Sequence, residues 1–398
     1  GEVSDSSGDT GVDCGDGVCR NECPDNCAGG GRDTACGDRV CGDAETAVSC
    51  PADCGNDGGA WEIASPECGC SMRICTGERD YSGMIGLPDL GAGHFSAGGA
   101  SYQGGLYPDG SNVRPPDHDA QGLALANSIE PINGKICAIS IGMSNTNQKW
   151  EHFMVNVLPT IPGTRSELRV RNGAIGSRPI EMTADPAVGT SCAEGNCQGV
   201  WGEIENAIGG PDGCEMDEVQ VVWMMHSTRL LDPMGDPTIP TFQAEVVDRL
   251  FPAFVATTNH LVANLPNLKL LYVSSRTYAG YGNRANNPEP FAHHNGFAVK
   301  WIVEEYIKLL DGQPSAFSFD PASVWVGWGP YLWADGLGSD GEPGGISGRE
   351  LPSPLELACD DFQSNDGIHP DPGSEAKAGE QLRDFFTTDA TAAPWFLQ

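Results

Sequence analysis

At 398 residues, 39% of them hydrophobic, the chain can bury a sizeable core, which excludes a disordered polymer. Its 22 Lys and Arg face 55 Asp and Glu, a formal net charge of -33, so phosphate backbones and anionic lipid surfaces repel it and nucleic acid is excluded as a partner. No apolar run approaches the roughly 18 residues a membrane span needs, so no membrane partner is expected.

The chain opens GEVSDSSGDT, polar from its first residue, as expected of a mature start whose leader has been removed. Sixteen cysteines, an even number crowded toward this end, point to an oxidising compartment and hence to export. Residues 1–56 hold a repeat: CGDGVCRNECPDNC supplies Cys14, Cys19, Cys23 and Cys27, and CGDRVCGDAETAVSCPADC supplies Cys36, Cys41, Cys50 and Cys54. Each copy has too few apolar residues for a core and must be held by cross-links or metal. Two disulfides per copy are expected, with the pairing open; zinc is the competing arrangement, disfavoured outside the cell. Asp16, Asp25, Asp38, Asp43, Glu45 and Asp53 could ligate calcium, or serve simply as acidic turns. The repeats resemble short Cys-rich modules of bacterial extracellular proteins, which implies a spacer or attachment role. Residues 57–75, with Cys68, Cys70 and Cys75, read as a linker to a domain over 76–398.

Within that domain GGASYQGGLYPDGSNVRPPDHDAQG, rich in Gly and Pro, reads as surface loop. From about residue 135 short apolar runs alternate with amphipathic ones. KICAISIGM, DEVQVVWMM, NLKLLYVSS and SVWVGW read as buried strands, and TFQAEVVDRLFPAFVATTNHLVANL, NGFAVKWIVEEYIKLLDG and GSEAKAGEQLRDFF as helices. This alternation predicts an α/β fold, a three-layer sandwich with a mainly parallel sheet between helices, whose ligands bind where strands end and helices begin.

Two stretches carry chemistry. Directly after the first strand stands IGMSNT, which puts Ser144 at the carboxyl end of a buried strand. A serine hydroxyl becomes a nucleophile at neutral pH only when a base takes its proton, and a neutral histidine serves. NDGIHPDPG, just before the last helix, offers His369 as that base, with Asp366 three residues earlier to accept from one ring nitrogen and leave the other for Ser144. Pro370 and Pro372 stiffen the loop.

By GMSNT and DGIHP, in that order, residues 76–398 resemble the SGNH hydrolase superfamily, also called GDSL-type esterases, in which a serine near the first strand and a late D-x-x-H form the catalytic set. Gly142-Met143-Ser144-Asn145 is nearest the G-x-S-N of acetylesterases acting on sialic acids and plant polysaccharides. The resemblance implies a flavodoxin-like sandwich and an oxyanion hole built from the Ser144 N–H, a glycine N–H and an asparagine side chain. In RVRNGAIGSRP the glycine falls at Gly176, with Gly173 as runner-up. The asparagine is the departure: after the third strand the chain reads VVWMMHSTR, where His226, Ser227 or Thr228 would have to substitute. Arg276, Tyr278 and Tyr281, after the fourth strand, are candidate substrate contacts.

Other residues read as structural. Adjacent His293 and His294 diverge and suit no metal, and Trp325, Trp328, Tyr331 and Trp333 suit the core better than a sugar platform. Cys192 and Cys197 would close a short loop, leaving Cys137, Cys214 and Cys359 to pair with Cys68, Cys70 or Cys75. The sequence thus predicts an exported serine esterase acting on short acyl esters, acetyl above all, of carbohydrate. It requires no cofactor, and calcium in the repeats is optional. Its rivals are a non-catalytic carbohydrate-binding or attachment protein, and a lipase.

Overall fold

Four of the apolar runs pair side by side in the computed structural model, which describes residues 84–185, 199–228, 241–282, 289–334 and 357–398. The Cys-rich repeats, their candidate calcium ligands, the linker and Cys192–Cys197 lie outside the described residues. Strands β3 (Ile136–Gly142), β4 (Leu168–Asn172), β5 (Val219–Met225), β6 (Leu270–Val273) and β7 (Trp325–Trp328) form one sheet in the order β4-β3-β5-β6-β7. Every pairing is parallel. All residues of β3, β5, β6 and β7 are buried, so both faces must be covered, as parallel sheets require. A separate antiparallel hairpin joins β1 (His94–Ala97) to β2 (Ala100–Gln103).

The covering helices are α1 (Pro116–Asn127), α2 (Ser144–His152), α3 (Ile180–Ala184), α4 (Val200–Ile208), α5 (Phe251–Asn264), α6 (Phe291–Leu310) and α7 (Pro372–Thr388). They pack in two groups: α2 against α7, and α3 against α5, which packs in turn on α6. The chain runs from β3 outward to β4, then returns past β3 to β5, so the connection reverses direction between β3 and β5. That reversal opens a crevice at the carboxyl ends of these two strands, the binding position of doubly wound sheets.

Aromatic packing sets the spacing of the layers. Trp150 of α2 stacks on Trp223 of β5 with ring centres 5.1 Å apart, and Trp223 Nε1 donates to Ser274 Oγ at 2.9 Å. Trp325, Trp328, Tyr331 and Trp333 are all buried, so this run belongs to the core.

Two expectations need correction. The segment 98–122 is not loop throughout, because it holds β2 and the first half of α1. Pro116 in the first turn suits a helix start, where its missing N–H costs nothing, and Asp117 and Asp119 complement the helix dipole. Cys137 and Cys214 do not reach back to the linker. They bond to each other, because Cys137 opens β3 and Cys214 stands just before the neighbouring β5, with Cα atoms 6.0 Å apart. Cys359 is also disulfide-bonded, and its partner lies outside the described residues.

Four histidines are sealed in this interior as neutral rings. Burial pushes His118 and His293 down to about 4 and His226 and His294 down to about 3. The unfolded chain binds these four protons once pH drops below about 6.5, and the folded chain refuses them until nearer 4, so stability falls as pH falls through that window. Glu245, Glu289 and Glu304, raised by burial, work in the opposite sense. Urea unfolding should therefore show a midpoint that drops between pH 7 and pH 5, each histidine contributing a slope of about 1.4 kcal/mol per pH unit. Replacing His118 by Gln should remove one proton from the slope, and a slope left unchanged would contradict this assignment.

Candidate active site

The turn that ends β3 allows no side chain. A Cβ on Gly142 would collide with the Thr146 hydroxyl and the Met225 carbonyl, the two groups that bond to each other and lock the start of α2 onto the end of β5. Ser144 is the first residue of α2. Its backbone N–H belongs to the first turn, where no intrahelical acceptor exists.

The histidine arrives from the far end of the chain on a tight loop. Gly367 adopts φ of +68°, and a Cβ there would run into the Tyr281 carbonyl. Gln363 N–H donates to the His369 carbonyl at 2.9 Å, and Asp371 caps α7 by accepting from Gly373 N–H at 2.8 Å. One oxygen of Asp366 accepts from the backbone N–H of Ile368 at 2.8 Å and of His369 at 2.9 Å, while the other pairs with His369 Nδ1. Burial opposes ionisation of Asp366, but its bonds from the His369 ring and the two N–H groups together outweigh it and hold the carboxyl below its usual value. With Nδ1–H directed at the carboxylate, Nε2 is left as acceptor, and the Ser144 hydroxyl donates to it at 2.7 Å. Asn145, the residue after the serine, donates from Nδ2 to the Ile368 carbonyl at 3.2 Å and so ties the serine helix to the histidine loop.

A second loop closes over Ser144. Asn172, at the end of β4, accepts from Ser140 Oγ at 2.8 Å and Ala174 N–H at 3.2 Å, and donates to the Asn147 carbonyl at 3.0 Å. Asn147 donates in return to the Ala174 carbonyl at 2.8 Å, and Ile175 N–H reaches the Gly142 carbonyl at 2.9 Å. The loop therefore carries Gly176 above the serine: a Cβ added there would lie 4.0 Å from Ser144 Cβ. Among the described residues no acceptor engages the Gly176 N–H. Ser177 follows in the left-handed region at φ of 60°, a strained setting for a residue with a side chain. Gly173 sits lower, its Cα against the Ser140 carbonyl, where a Cβ would come within 2.7 Å, and it does not line the cavity.

The cavity so formed has a volume of about 170 Å³ and is walled by Ser144, Asn145, Ser177, His226, Arg276 and His369, with Met143, Thr146, Met225, Ser227 and Ile368 completing it. His226 reaches it, but its Nδ1 accepts from the Ser227 N–H at 3.0 Å and its Nε2 lies 3.4 Å from Thr183 Oγ1. Thr228 does not line the cavity, and its hydroxyl donates to buried Glu245. Tyr278 and Tyr281 pack edge to face with each other, 5.2 Å between centres, outside the wall. His293 Nε2 donates to the Ile85 carbonyl at 2.9 Å, and among the described residues no three His, Cys, Asp or Glu side chains converge as a metal site. The structure thus brings Ser144, His369, Asp366 and Gly176 together, keeps His226 and Arg276 at the wall, and sets Gly173 and Thr228 apart. Asn145 and Ser177 were given no role by the sequence; the adjacency of Asn145 to the serine at a helix start was the signal for the first, and nothing announced the φ of Ser177. No protein-family model, curated protein or solved structure matches this chain.

A hydroxyl so placed should react as an activated serine whatever the substrate. A fluorophosphonate probe should attach to the peptide containing Ser144, and His369→Ala should slow labelling at least 100-fold, the span of general-base assistance. Labelling elsewhere, or at an undiminished rate, would contradict the geometry.

Proposed function

We propose that this chain is a serine ester hydrolase that removes short acyl groups. The reading is carried by one observation, the 2.7 Å bond from the Ser144 hydroxyl to His369 Nε2 with Asp366 on the other ring nitrogen. Ser144 Oγ attacks the ester carbonyl as His369 takes its proton, and ionised Asp366 stabilises the imidazolium. The backbone N–H groups of Ser144 and Gly176 receive the developing oxyanion, each such donor contributing about 3 kcal/mol. His369 then protonates the leaving alcohol, and water, deprotonated by the same ring, releases the acid and restores the serine.

Size supports a short acyl group. Among the described residues the cavity, about 170 Å³, lies well below the 300–1,000 Å³ of pockets that enclose drug-sized ligands, which suits a small acyl group. Carbohydrate as the alcohol, and export of the protein, rest on the sequence resemblance and on the sixteen cysteines. One observation favours a non-catalytic binding protein on the same fold: no asparagine follows β5, and of the residues that would have to substitute for it Thr228 donates to Glu245 instead, which leaves only His226 and Ser227 at the wall.

Hydrolysis of p-nitrophenyl acetate separates the two. The esterase should turn it over, prefer acetyl and propionyl over octanoyl esters, and lose about 10⁴-fold or more in kcat on Ser144→Ala. Asp366→Asn should cost about 10⁴-fold by leaving the imidazole in the wrong tautomer. An inactive wild type, or an alanine variant as active as the wild type, would overturn the esterase.

A further inference from the structure

Directly after β5 the chain offers His226 and Ser227 at the cavity wall and Thr228 beside it. Thr228 is engaged elsewhere, its hydroxyl on buried Glu245. His226 Nδ1 accepts from the Ser227 N–H at 3.0 Å, so the ring proton sits on Nε2, which lies 3.4 Å from Thr183 Oγ1. Burial keeps this ring neutral, pushing it down to about 3, so it has no second N–H to offer the cavity. Ser227 differs from both. It is 3% exposed and lines the wall, and its backbone is held on both sides, the N–H on His226 Nδ1 and the carbonyl accepting from the Ile180 N–H at 2.9 Å. Its hydroxyl has no hydrogen-bond partner among the described residues, and a serine O–H is free to turn toward whatever acceptor the cavity receives.

The register of the sheet brings this hydroxyl to the reacting serine. Gly142 of β3 pairs with Met225 of β5 at the last rung of their ladder, and Ser144 and Ser227 each stand two residues beyond it. Paired strands run about 4.8 Å apart, so the two serines leave the sheet from neighbouring ends. The loop that carries Gly176 crosses between the same two ends: Ile175 N–H donates to the Gly142 carbonyl and Ile180 N–H to the Ser227 carbonyl, each at 2.9 Å. We infer that Ser227 is the third donor to the oxyanion, a catalytic residue whose hydroxyl replaces the missing asparagine side chain. As Ser144 Oγ bonds to the acyl carbon, the electron pair of the carbonyl double bond moves onto its oxygen, which accepts from the Ser144 and Gly176 N–H groups and from the Ser227 O–H. No proton leaves Ser227, and the pair returns when the alcohol departs. A donor aimed at charge that exists only in the transition state speeds the reaction without tightening substrate binding. This inference rests on the esterase reading and supplies the donor whose apparent lack favoured a binding protein.

The test is steady-state hydrolysis of p-nitrophenyl acetate by the full chain carrying Ser227→Ala, with urea unfolding to show that the variant is folded. Both kcat and kcat/KM should fall about 100-fold, the loss typical of one oxyanion donor, while KM stays within about threefold. Ser227→Thr, which keeps a hydroxyl in place, should run about tenfold or more above the alanine variant. Ser227→Cys, close in size but a weak donor, should lose nearly as much as alanine, and it carries the test if alanine disturbs the fold. A folded alanine or cysteine variant whose kcat stays within about threefold of the wild type, a loss that falls on KM instead, or a threonine variant no faster than alanine overturns the role of Ser227 and leaves the esterase standing. A wild type that does not cleave the ester overturns the esterase reading and this inference with it.

Discussion

A single hydrogen bond, from the hydroxyl of Ser144 to a ring 225 residues later in the chain, depends on nearly every other feature of the fold. It needs β3 to end beside β5, because the Thr146 hydroxyl locks α2 onto the Met225 carbonyl. It needs the loop before α7 to be rigid, which Asp366 achieves by accepting from two backbone N–H groups as well as the ring. Asn145 then joins the two pieces through the Ile368 carbonyl. Each bond contributes on the order of 1 kcal/mol, more where the carboxylate accepts, and their purpose is position rather than stability.

How much of this could be read from the chain depended on distance along it. Strands β3, β5, β6 and β7 were legible because each is a short, wholly apolar run between turn formers, and burial on both faces removes any need for alternation. β4 was harder: as an edge strand its LRVRN places Arg169 and Arg171 toward solvent, and it was recognised only as part of a glycine motif. Ser144 and the Asp366–His369 pair were legible because each is a local pattern whose chemistry requires the other. Pairings set by the fold were not. Cys137 meets Cys214 only because β3 and β5 are neighbours across the reversal, and Thr228 is drawn from the cavity by Glu245, seventeen residues on.

Charge follows the same division between whole and part. The chain as a whole carries an excess of acid, yet none of the described residues along the cavity wall is acidic and buried Arg276 stands there. Composition describes the solvated exterior, where screening acts over about 8 to 10 Å, and says little about a small cavity of a few side chains. The buried neutral histidines show the same separation, since burial rather than their neighbours in sequence governs their protonation.

The central claim is that every substrate passes through the same acyl group on Ser144. Partitioning between water and methanol tests it most directly: acetyl esters with different leaving alcohols are hydrolysed in aqueous methanol, and the ratio of methyl acetate to acetate is measured for each. A shared acetyl-serine requires the same ratio for all of them, because the leaving alcohol has departed before the second nucleophile arrives. A ratio that varies with the leaving alcohol would mean direct attack by water on the ester and would contradict the account.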